Sequence, residues 1–281
     1  MNAIEINGLT KCYEDFKLDD ITMNIPMGSI VGLVGENGAG KTTTINLIMD
    51  SVSRDAGVVK VFGIDNKDCR FTSLKNDIGV VLDEAYYPEI LNAKDVNSIM
   101  KYTYINWDEK TYFEYIKKLN MPLNKKFKDY SRGMKMKLAI SVAMSHEAKL
   151  LILDEATSGL DPMVRDEVLQ TFNEFTREED KTVLLSSHIV SDLEKICDYI
   201  AFIHRGKLVF MEEKDVILNK FSLINISKDS VSDIPKEAIV GLKENKYSTE
   251  ILVRKEMVNK GFKSEHFSLE DVILFMAKEV N

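Results

Sequence analysis

The residues most able to do chemistry are the nine from 35 to 43, which read Gly-Glu-Asn-Gly-Ala-Gly-Lys-Thr-Thr. They fit the pattern G-x-x-x-x-G-K-[ST], between an apolar run at 29–34 that predicts a buried strand and residues 42–49 that predict a helix. In that setting the glycine-rich backbone and the helix N-terminus direct N–H groups at phosphate oxygens. We expect Lys41 to reach the terminal phosphates and the Thr42 hydroxyl to ligate Mg²⁺. A glycine-rich turn without a ligand is the weaker interpretation.

Two further strand ends carry side chains that suit hydrolysis at such a site. An apolar run at 150–153 ends in Asp154 and Glu155, and a run from 182 ends in His188. Ligands of open α/β sheets sit at the carboxyl ends of strands, and successive residues point to opposite faces. Asp154 therefore suits a metal-bound water, Glu155 a water near the terminal phosphate, and His188 a hydrogen bond to a γ-phosphate. The alternatives are a strand that ends in solvent and a structural histidine.

Ser131 and Tyr13 are weaker candidates. Ser131 and Gly133 precede a predicted helix, whose N-terminus is able to hold an anion, although an ordinary helix cap is the simpler interpretation. Tyr13, beside a predicted turn, is either a platform on which a base stacks or a partly buried aromatic residue.

Composition limits the class of protein. The 281 residues are 44% hydrophobic, which suffices for one large and one small domain, and the net charge of −8 disfavours nucleic-acid binding. Cys12, Cys69 and Cys197 are odd in number and widely spaced, so we expect reduced thiols with neither a disulfide framework nor a zinc site. We expect no signal peptide, and no apolar run approaches the roughly 20 residues of a membrane span, so a membrane-embedded part would come from another chain.

Strand and helix patterns alternate along most of the chain. Strands are predicted at 3–6, 18–25, 29–34, 57–62, 78–82, 149–153, 182–185, 199–203, 208–211, 222–227 and 249–253. Helices are predicted at 42–49, 93–104, 108–119, 131–146, 162–176, 189–196 and 268–277. This order indicates an α/β domain at 1–212 with a mainly parallel sheet, interrupted by a helical subdomain at about 84–146. Residues 213–281 are predicted to form a small α+β appendage.

Six motifs in this order make the chain similar to the ATP-binding subunit of an ATP-binding-cassette (ABC) transporter, of the bacterial exporter type. The motifs are Walker A (35–43), the Q-loop position (Asp83), part of the signature motif (131–134), Walker B (150–155), the D-loop (158–161) and the H-loop (His188). The resemblance covers residues 3 to about 212, and the tail resembles that of subunits serving two-component exporters. It implies a P-loop NTPase fold with an N-terminal antiparallel β portion.

The resemblance also implies a set of roles. ATP and Mg²⁺ are the expected cofactors, and Glu155 and His188 the catalytic residues. Nucleotide contacts are expected from Tyr13, Asn37, Gly38, Ala39, Gly40, Lys41, Thr42, Thr43, Ser131, Arg132, Gly133 and Asp161, and metal contacts from Thr42, Asp83 and Asp154. The family pattern is a head-to-tail dimer, either a homodimer or a heterodimer, in which the signature segment of one subunit holds the γ-phosphate bound by the other. The dimer would drive a transmembrane permease from the cytoplasmic face of the membrane.

Two motifs depart from the family pattern. The usual Leu-Ser-Gly-Gly-Gln is altered at Tyr130, Arg132 and Met134, so Arg132 adds a positive charge near the expected γ-phosphate. The usual glutamine of the Q-loop is Asp83, which can offer an oxygen to Mg²⁺ but places a negative charge beside Asp154 and Glu155.

Three other functions are weighed. A soluble ATPase of the same fold in translation or DNA repair usually carries two cassettes or a coiled-coil insertion, and neither is present. A non-hydrolysing regulator is disfavoured by Glu155. A GTPase is disfavoured because no Asn-Lys-x-Asp motif follows the phosphate loop.

Overall fold

A computed structural model describes residues 1–83, 86–178, 180–258 and 262–279. The strands are β1 (Asn2–Cys12), β2 (Lys17–Pro26), β3 (Ile30–Val34), β4 (Ala56–Val61), β5 (Ile64–Asp65), β6 (Ile78–Val81), β7 (Leu150–Asp154), β8 (Thr182–Ser187), β9 (Tyr199–His204), β10 (Lys207–Glu213), β11 (Phe221–Ile226), β12 (Ile239–Glu244), β13 (Thr249–Arg254) and β14 (Ser264–Glu265). The helices are α1 (Lys41–Ile48), α2 (Phe71–Leu74), α3 (Ala93–Thr103), α4 (Glu109–Lys118), α5 (Arg132–Ala143), α6 (Pro162–Phe175), α7 (Val190–Ile196), α8 (Lys214–Lys220) and α9 (Leu269–Glu279).

A six-stranded sheet in the order β10-β9-β3-β8-β7-β6 forms the centre of the molecule. Neighbouring strands are parallel from β9 to β6, and only β10 pairs antiparallel, with β9. Every residue of β3, β7 and β8 is buried, which is why these strands appear in the sequence as continuous apolar runs. Their parallel alignment brings the three predicted strand ends to one edge of the sheet.

The N-terminal sheet is antiparallel throughout, as the predicted fold class requires. Its order is β2-β1-β4-β5, and β2 alternates buried and exposed residues from Ile21 to Ile25. Its buried face shares one hydrophobic cluster with α1 and with one face of the central sheet. Helix α1, which follows the phosphate loop, is therefore packed against both the N-terminal sheet and the central sheet.

Helices α3, α4 and α5 form the predicted helical subdomain around a hydrophobic cluster of their own, with the fully buried Tyr112 at its centre. The start of this subdomain, predicted at residue 84, lies outside the described residues. Asn92 forms a capping box at α3, and Asp108 caps α4. α5 ends at Ala143, short of the predicted 146.

Residues beyond β10 form a third sheet, in the order β12-β13-β11-β14, with helices α8 and α9. The two strands and the helix predicted here are present, whereas α8, β12 and β14 were not predicted. Buried residues of this layer, including Phe221, Leu252 and Val272, belong to the same hydrophobic cluster as Leu193 and Phe172 of the central domain. The division at 212–213 stays a prediction, because both parts share this cluster. No helix in the described ranges is long and apolar enough to cross a bilayer.

Candidate active site

The glycine-rich loop joins the carboxyl end of β3 to the first turn of α1, as predicted. Gly40 has φ +115°, a conformation that other residues rarely adopt, and a Cβ there would lie 2.7 Å from Leu18 Cδ1. A Cβ on Gly35 would lie 2.3 Å from the carbonyl oxygen of Ile203. A Cβ on Gly38 would meet none of the described atoms within 4 Å apart from its chain neighbours. The loop is therefore close-packed against β2 and β9 and open on its other side, as a cradle for phosphates must be.

Lys41 points back into this loop. Its Nζ donates to the carbonyl oxygens of Gly35 (2.7 Å) and Glu36 (3.3 Å), and it lies 3.2 Å from Glu155 Oε1. Only 6% of the residue is exposed. A buried ammonium group needs such partners, and phosphate oxygens are stronger acceptors than the two carbonyls.

Thr42 and Asp154 meet where the metal ligands were predicted. The Thr42 hydroxyl donates to Asp154 Oδ2 (2.7 Å), and the hydroxyl of Ser186 on β8 donates to Asp154 Oδ1. Asp154 is only 2% exposed, so these two hydrogen bonds hold it in place. One hydroxyl and one carboxylate suit Mg²⁺, which keeps several waters and takes phosphate oxygens as further ligands. The described residues contain no cluster of three or more His, Cys, Asp or Glu that could hold a metal ion.

Glu155 lies between Lys41 and His188. The Nδ1–H of His188 donates to Glu155 Oε2 (2.7 Å), while Glu155 Oε1 is buried and accepts no hydrogen bond from the described residues. Glu155 follows the end of β7 and has φ +50°, and its backbone N–H donates to the carbonyl and the hydroxyl of Ser186, each at 3.1 Å. A non-glycine residue in the left-handed region stores strain, and such residues concentrate at functional sites. Glu155 is thus turned out of the strand to face the cavity.

Lys41, Thr42 and Glu155 line a cavity of about 530 Å³, whereas Asp154 and His188 lie outside its wall. Its wall contains the loop residues Asn37, Gly38, Gly40, Lys41, Thr42 and Thr43, together with Asp15, Phe16, Glu36, Asp83 and Glu155. Ala39 lies outside this wall: it is 1% exposed, and its carbonyl oxygen accepts from Gly206 N in the β9–β10 turn (2.9 Å). The cavity therefore combines most of the predicted phosphate contacts with the predicted base.

The aromatic wall of the cavity is Phe16, a residue that sequence reasoning missed. Tyr13 is 47% exposed and lies outside the cavity lining, with its ring centre 6.4 Å from that of Phe16. A second cavity of about 410 Å³ continues past Phe16 to Arg205 in the β9–β10 turn. The sequence did contain one indication of Phe16, since it is an aromatic residue three positions after the predicted Tyr13. The place of Arg205 in this wall could not be predicted from the sequence, because only the tertiary structure brings the β9–β10 turn close to the phosphate loop.

The signature and D-loop residues lie together, but outside the wall of this cavity. Ser131 caps α5 by accepting from Met134 N (3.3 Å), and Asp161 caps α6 by accepting from Val164 N (3.1 Å). A Cβ on Gly133 would lie 3.5 Å from Val164 Cγ1. The interpretation of Ser131 as a helix cap is confirmed, and its contact to a nucleotide stays a prediction.

Arg132 and Asp83 contact each other directly, with Arg132 Nη2 2.8 Å from Asp83 Oδ1. Both line a further cavity of about 480 Å³, beside Tyr130, whose pKa is raised by burial. The two departures from the family pattern are thus brought together by the fold.

A family profile described as ABC transporter matches residues 18–158, half of the chain. The chain belongs to the ABC transporter family. It is 34% identical over 212 residues to the bacitracin transport ATP-binding protein BcrA of Enterococcus faecalis, covering 74% of this chain and 68% of BcrA. It is also 34% identical over 227 residues to the lantibiotic transport ATP-binding protein SrtF of Streptococcus pyogenes, covering 79% of this chain and 96% of SrtF.

A solved ATP-binding subunit of an ABC transporter superposes on this ABC subunit with a TM-score of 0.70 and 26% identity, over 77% of this chain and 92% of that one. The predicted family and fold class are confirmed. The chain is an ATP-binding subunit that hydrolyses ATP to power a membrane transporter.

Proposed function

We propose that the cavity at the phosphate loop is one half of an ATP-hydrolysing site, in which Glu155 is the general base. The observation that carries this proposal is the contact of Glu155 with Lys41 on one side and with His188 on the other. A carboxylate with this placement faces the space beyond the loop, where the terminal phosphate and the attacking water belong.

Lys41 and Glu155 change roles when the triphosphate enters. Lys41 exchanges the carbonyl oxygens of Gly35 and Glu36 for phosphate oxygens, and the Glu155 carboxylate is then free to orient and deprotonate water. His188 keeps the other carboxylate oxygen in position through its Nδ1, and its hydrogen bond to the γ-phosphate stays a prediction. Thr42 and Asp154, which contact each other, would hold Mg²⁺, and the ion would neutralise phosphate charge. The role of Asp83 as a further metal ligand stays a prediction.

The site is completed by a second subunit. Ser131, Arg132, Gly133 and Asp161 lie outside the wall of the phosphate-loop cavity, which supports a role for them at a nucleotide held by another subunit. A head-to-tail dimer would bring them to the phosphates of the partner site. The partner subunit is a second copy of this chain or a related ATP-binding chain.

We also propose that the dimer works on a transmembrane permease at the cytoplasmic face of the membrane. Since the relatives named above serve bacitracin and lantibiotic transport, we propose export as the direction. Affinity capture from solubilised membranes is expected to recover a multi-span membrane protein. Recovery of soluble partners alone would instead favour the soluble ATPase of the same fold.

The test of the proposed base is Glu155→Gln, which keeps the shape of the side chain and removes its basicity. We expect ATP hydrolysis to fall by about 100-fold or more and the protein to dimerise with Mg-ATP in light scattering, because the nucleotide persists. Glu147→Gln is a matched control at an exposed glutamate with no hydrogen-bond or ion-pair partner in the described chain, and it should leave both properties unchanged. Unchanged hydrolysis in Glu155→Gln would remove the role proposed for Glu155.

A further inference from the structure

The ion pair between Asp83 and Arg132 joins two segments that are 49 residues apart in the chain. Asp83 follows β6 at the predicted Q-loop position, and Arg132 is the first residue of α5. Their side chains are 54% and 51% exposed, so the contact lies at the surface. An ion pair this exposed adds little to the free energy of folding, and a role in orienting the two segments explains it better.

Arg132 also covers the D-loop. Gly159 there has φ +66°, and a Cβ on it would lie 2.8 Å from Arg132 Nη1 and 3.0 Å from Arg132 Cζ. The guanidinium group therefore packs against the backbone at Gly159 while it bonds to Asp83. The Q-loop position, the signature segment and the D-loop meet at this one side chain.

Asp83 belongs to two cavities at once. It lines the phosphate-loop cavity with Lys41 and Thr42, and it lines the neighbouring cavity with Arg132. Arg132 is the hydrogen-bonding and ion-pairing partner of its side chain within the described residues. The carboxylate thus stands between the nucleotide site of its own subunit and the side chain expected to serve the other subunit.

The two departures from the family pattern compensate each other electrostatically. Where the usual family pattern has a neutral glutamine and a glycine, this chain has a carboxylate and a guanidinium group 2.8 Å apart. An unrestrained arginine samples many rotamers, and ordering it when a phosphate binds costs conformational entropy. Asp83 and Gly159 order it beforehand.

We propose that Asp83 is a positioning residue for Arg132, rather than a metal ligand. The pair holds the guanidinium group over Gly159 and so sets the N-terminus of α5 for the nucleotide of the partner subunit. This inference rests on the proposed dimer. It implies that the two residues act as one unit. Loss of either should raise the ATP concentration needed for half-maximal hydrolysis and leave the Mg²⁺ requirement unchanged.

A double-mutant cycle on the full chain tests this proposal. Asp83→Asn, Arg132→Gln and the double variant are assayed for hydrolysis against ATP concentration, and separately against Mg²⁺ at saturating ATP. We expect each single variant to raise the half-saturating ATP concentration about fivefold or more, and the double variant to raise it no further than the larger single effect. The Mg²⁺ requirement should match wild type in all three. Arg132→Lys keeps the positive charge but lacks the planar guanidinium group. Its half-saturating ATP concentration should lie between those of wild type and Arg132→Gln.

Three results would overturn the proposal. The first is an increased Mg²⁺ requirement in Asp83→Asn but not in Arg132→Gln, which is the result expected of a metal ligand. The second is a double variant whose half-saturating ATP concentration rises by the product of the two single-variant increases. The third is a dependence of hydrolysis on ATP concentration that is identical to wild type in both single variants. Melting temperatures close to wild type confirm that each variant is folded, and Glu89→Gln, in the same cavity wall, is the matched control. If the proposed function itself failed, Glu155→Gln would leave hydrolysis unchanged in the otherwise wild-type chain, whatever the cycle showed.

Discussion

The phosphate loop and the signature segment belong to one proposed catalytic cycle, yet they are built very differently. Lys41 and Asp154 are 6% and 2% exposed, and both have hydrogen-bond partners within the chain. Arg132 and Asp83 expose about half of their side chains, and their contact lies at the rim of an open cavity. The first region is preorganised by the core of its own subunit. The second is exposed, as expected if it contacts a partner subunit in the proposed dimer.

The difference follows from what supports each region. The phosphate loop is held between a central strand, the N-terminal sheet and the β9–β10 turn, so its geometry depends on buried packing. The signature segment begins α5, which packs into the central core through Met136 and Ile140 and into the cluster of the helical subdomain through Leu138 and Val142. Its first residues, Ser131 and Arg132, are exposed. Substitutions at the phosphate loop should therefore abolish chemistry, whereas those at the signature segment should change how the subunits meet.

The largest effect is expected at Lys41. Lys41→Met removes the ammonium group from the phosphate cavity and leaves the buried Glu155 Oε1 without its cation. We expect hydrolysis to fall by about 100-fold or more, because a positioned cation at developing phosphate charge contributes at least this much. Steady-state phosphate release measures the loss. Lys135→Met, in the wall of the neighbouring cavity, is the matched control, and equal losses in both variants would remove the contrast between the two regions.

The second prediction concerns the base of the nucleotide. Tyr13→Ala should weaken ATP binding about tenfold, since stacking of a base on an aromatic ring is worth about 1–3 kcal/mol. Titration with a fluorescent ATP analogue gives the dissociation constant. Phe16→Ala is the comparison, because Phe16 lines the cavity whereas Tyr13 lies beside it. A larger loss in Phe16→Ala than in Tyr13→Ala would place the base against Phe16.

Helix caps give a smaller and more selective test. Ser131 and Asn92 both cap helices of the helical subdomain, so Ser131→Ala and Asn92→Ala should each lower the free energy of unfolding by about 1 kcal/mol. Only Ser131→Ala should also reduce ATP-dependent dimerisation, because its hydroxyl group is proposed to face the partner nucleotide. Urea denaturation and light scattering measure the two properties. Equal dimerisation in both variants would make Ser131 an ordinary cap.

The smallest effect is expected from pH, at the junction of the subdomain with the core. His146 is buried, its ring centre lies 3.9 Å from that of Tyr104, and its Nδ1 lies 2.9 Å from Asn76 O. Burial lowers the pKa of His146 below 6.5, so the unfolded chain takes up a proton before the folded one does. Stability should therefore fall as pH drops from 6.5 towards that lowered pKa, and level off below it.

His146→Gln should flatten this part of the profile of melting temperature against pH, even though it lowers stability overall. If the melting temperature of wild type does not change below pH 6.5, or if it falls equally steeply in His146→Gln, His146 does not control the pH dependence of stability. If His146→Gln also lowers ATP hydrolysis, the orientation of the helical subdomain affects the active site.

Much of the active site was readable from the sequence because it is built from local patterns. Residues 35–43, the pair Asp154 and Glu155, and His188 each follow an apolar run, and parallel strands bring their ends to one sheet edge. Phe16 was missed because its place in the wall depends on how β2 lies against the loop, as the 3.1 Å between Phe16 Cζ and a Cβ on Gly40 illustrates. Strands β12 and β14 were missed because an antiparallel layer of short strands gives weak periodicity.

What the sequence determined by itself was the family, the α/β class and the place of the phosphate loop between a strand and a helix, because the glycine and lysine positions of such a loop are set by short-range backbone geometry. Only the tertiary structure decided which charges meet. It joined Asp83 to Arg132 across 49 residues, placed Lys41 beside Glu155, and merged the C-terminal layer with the central core. Such contacts depend on the packing of whole elements against one another, and no local pattern in the chain specifies that packing.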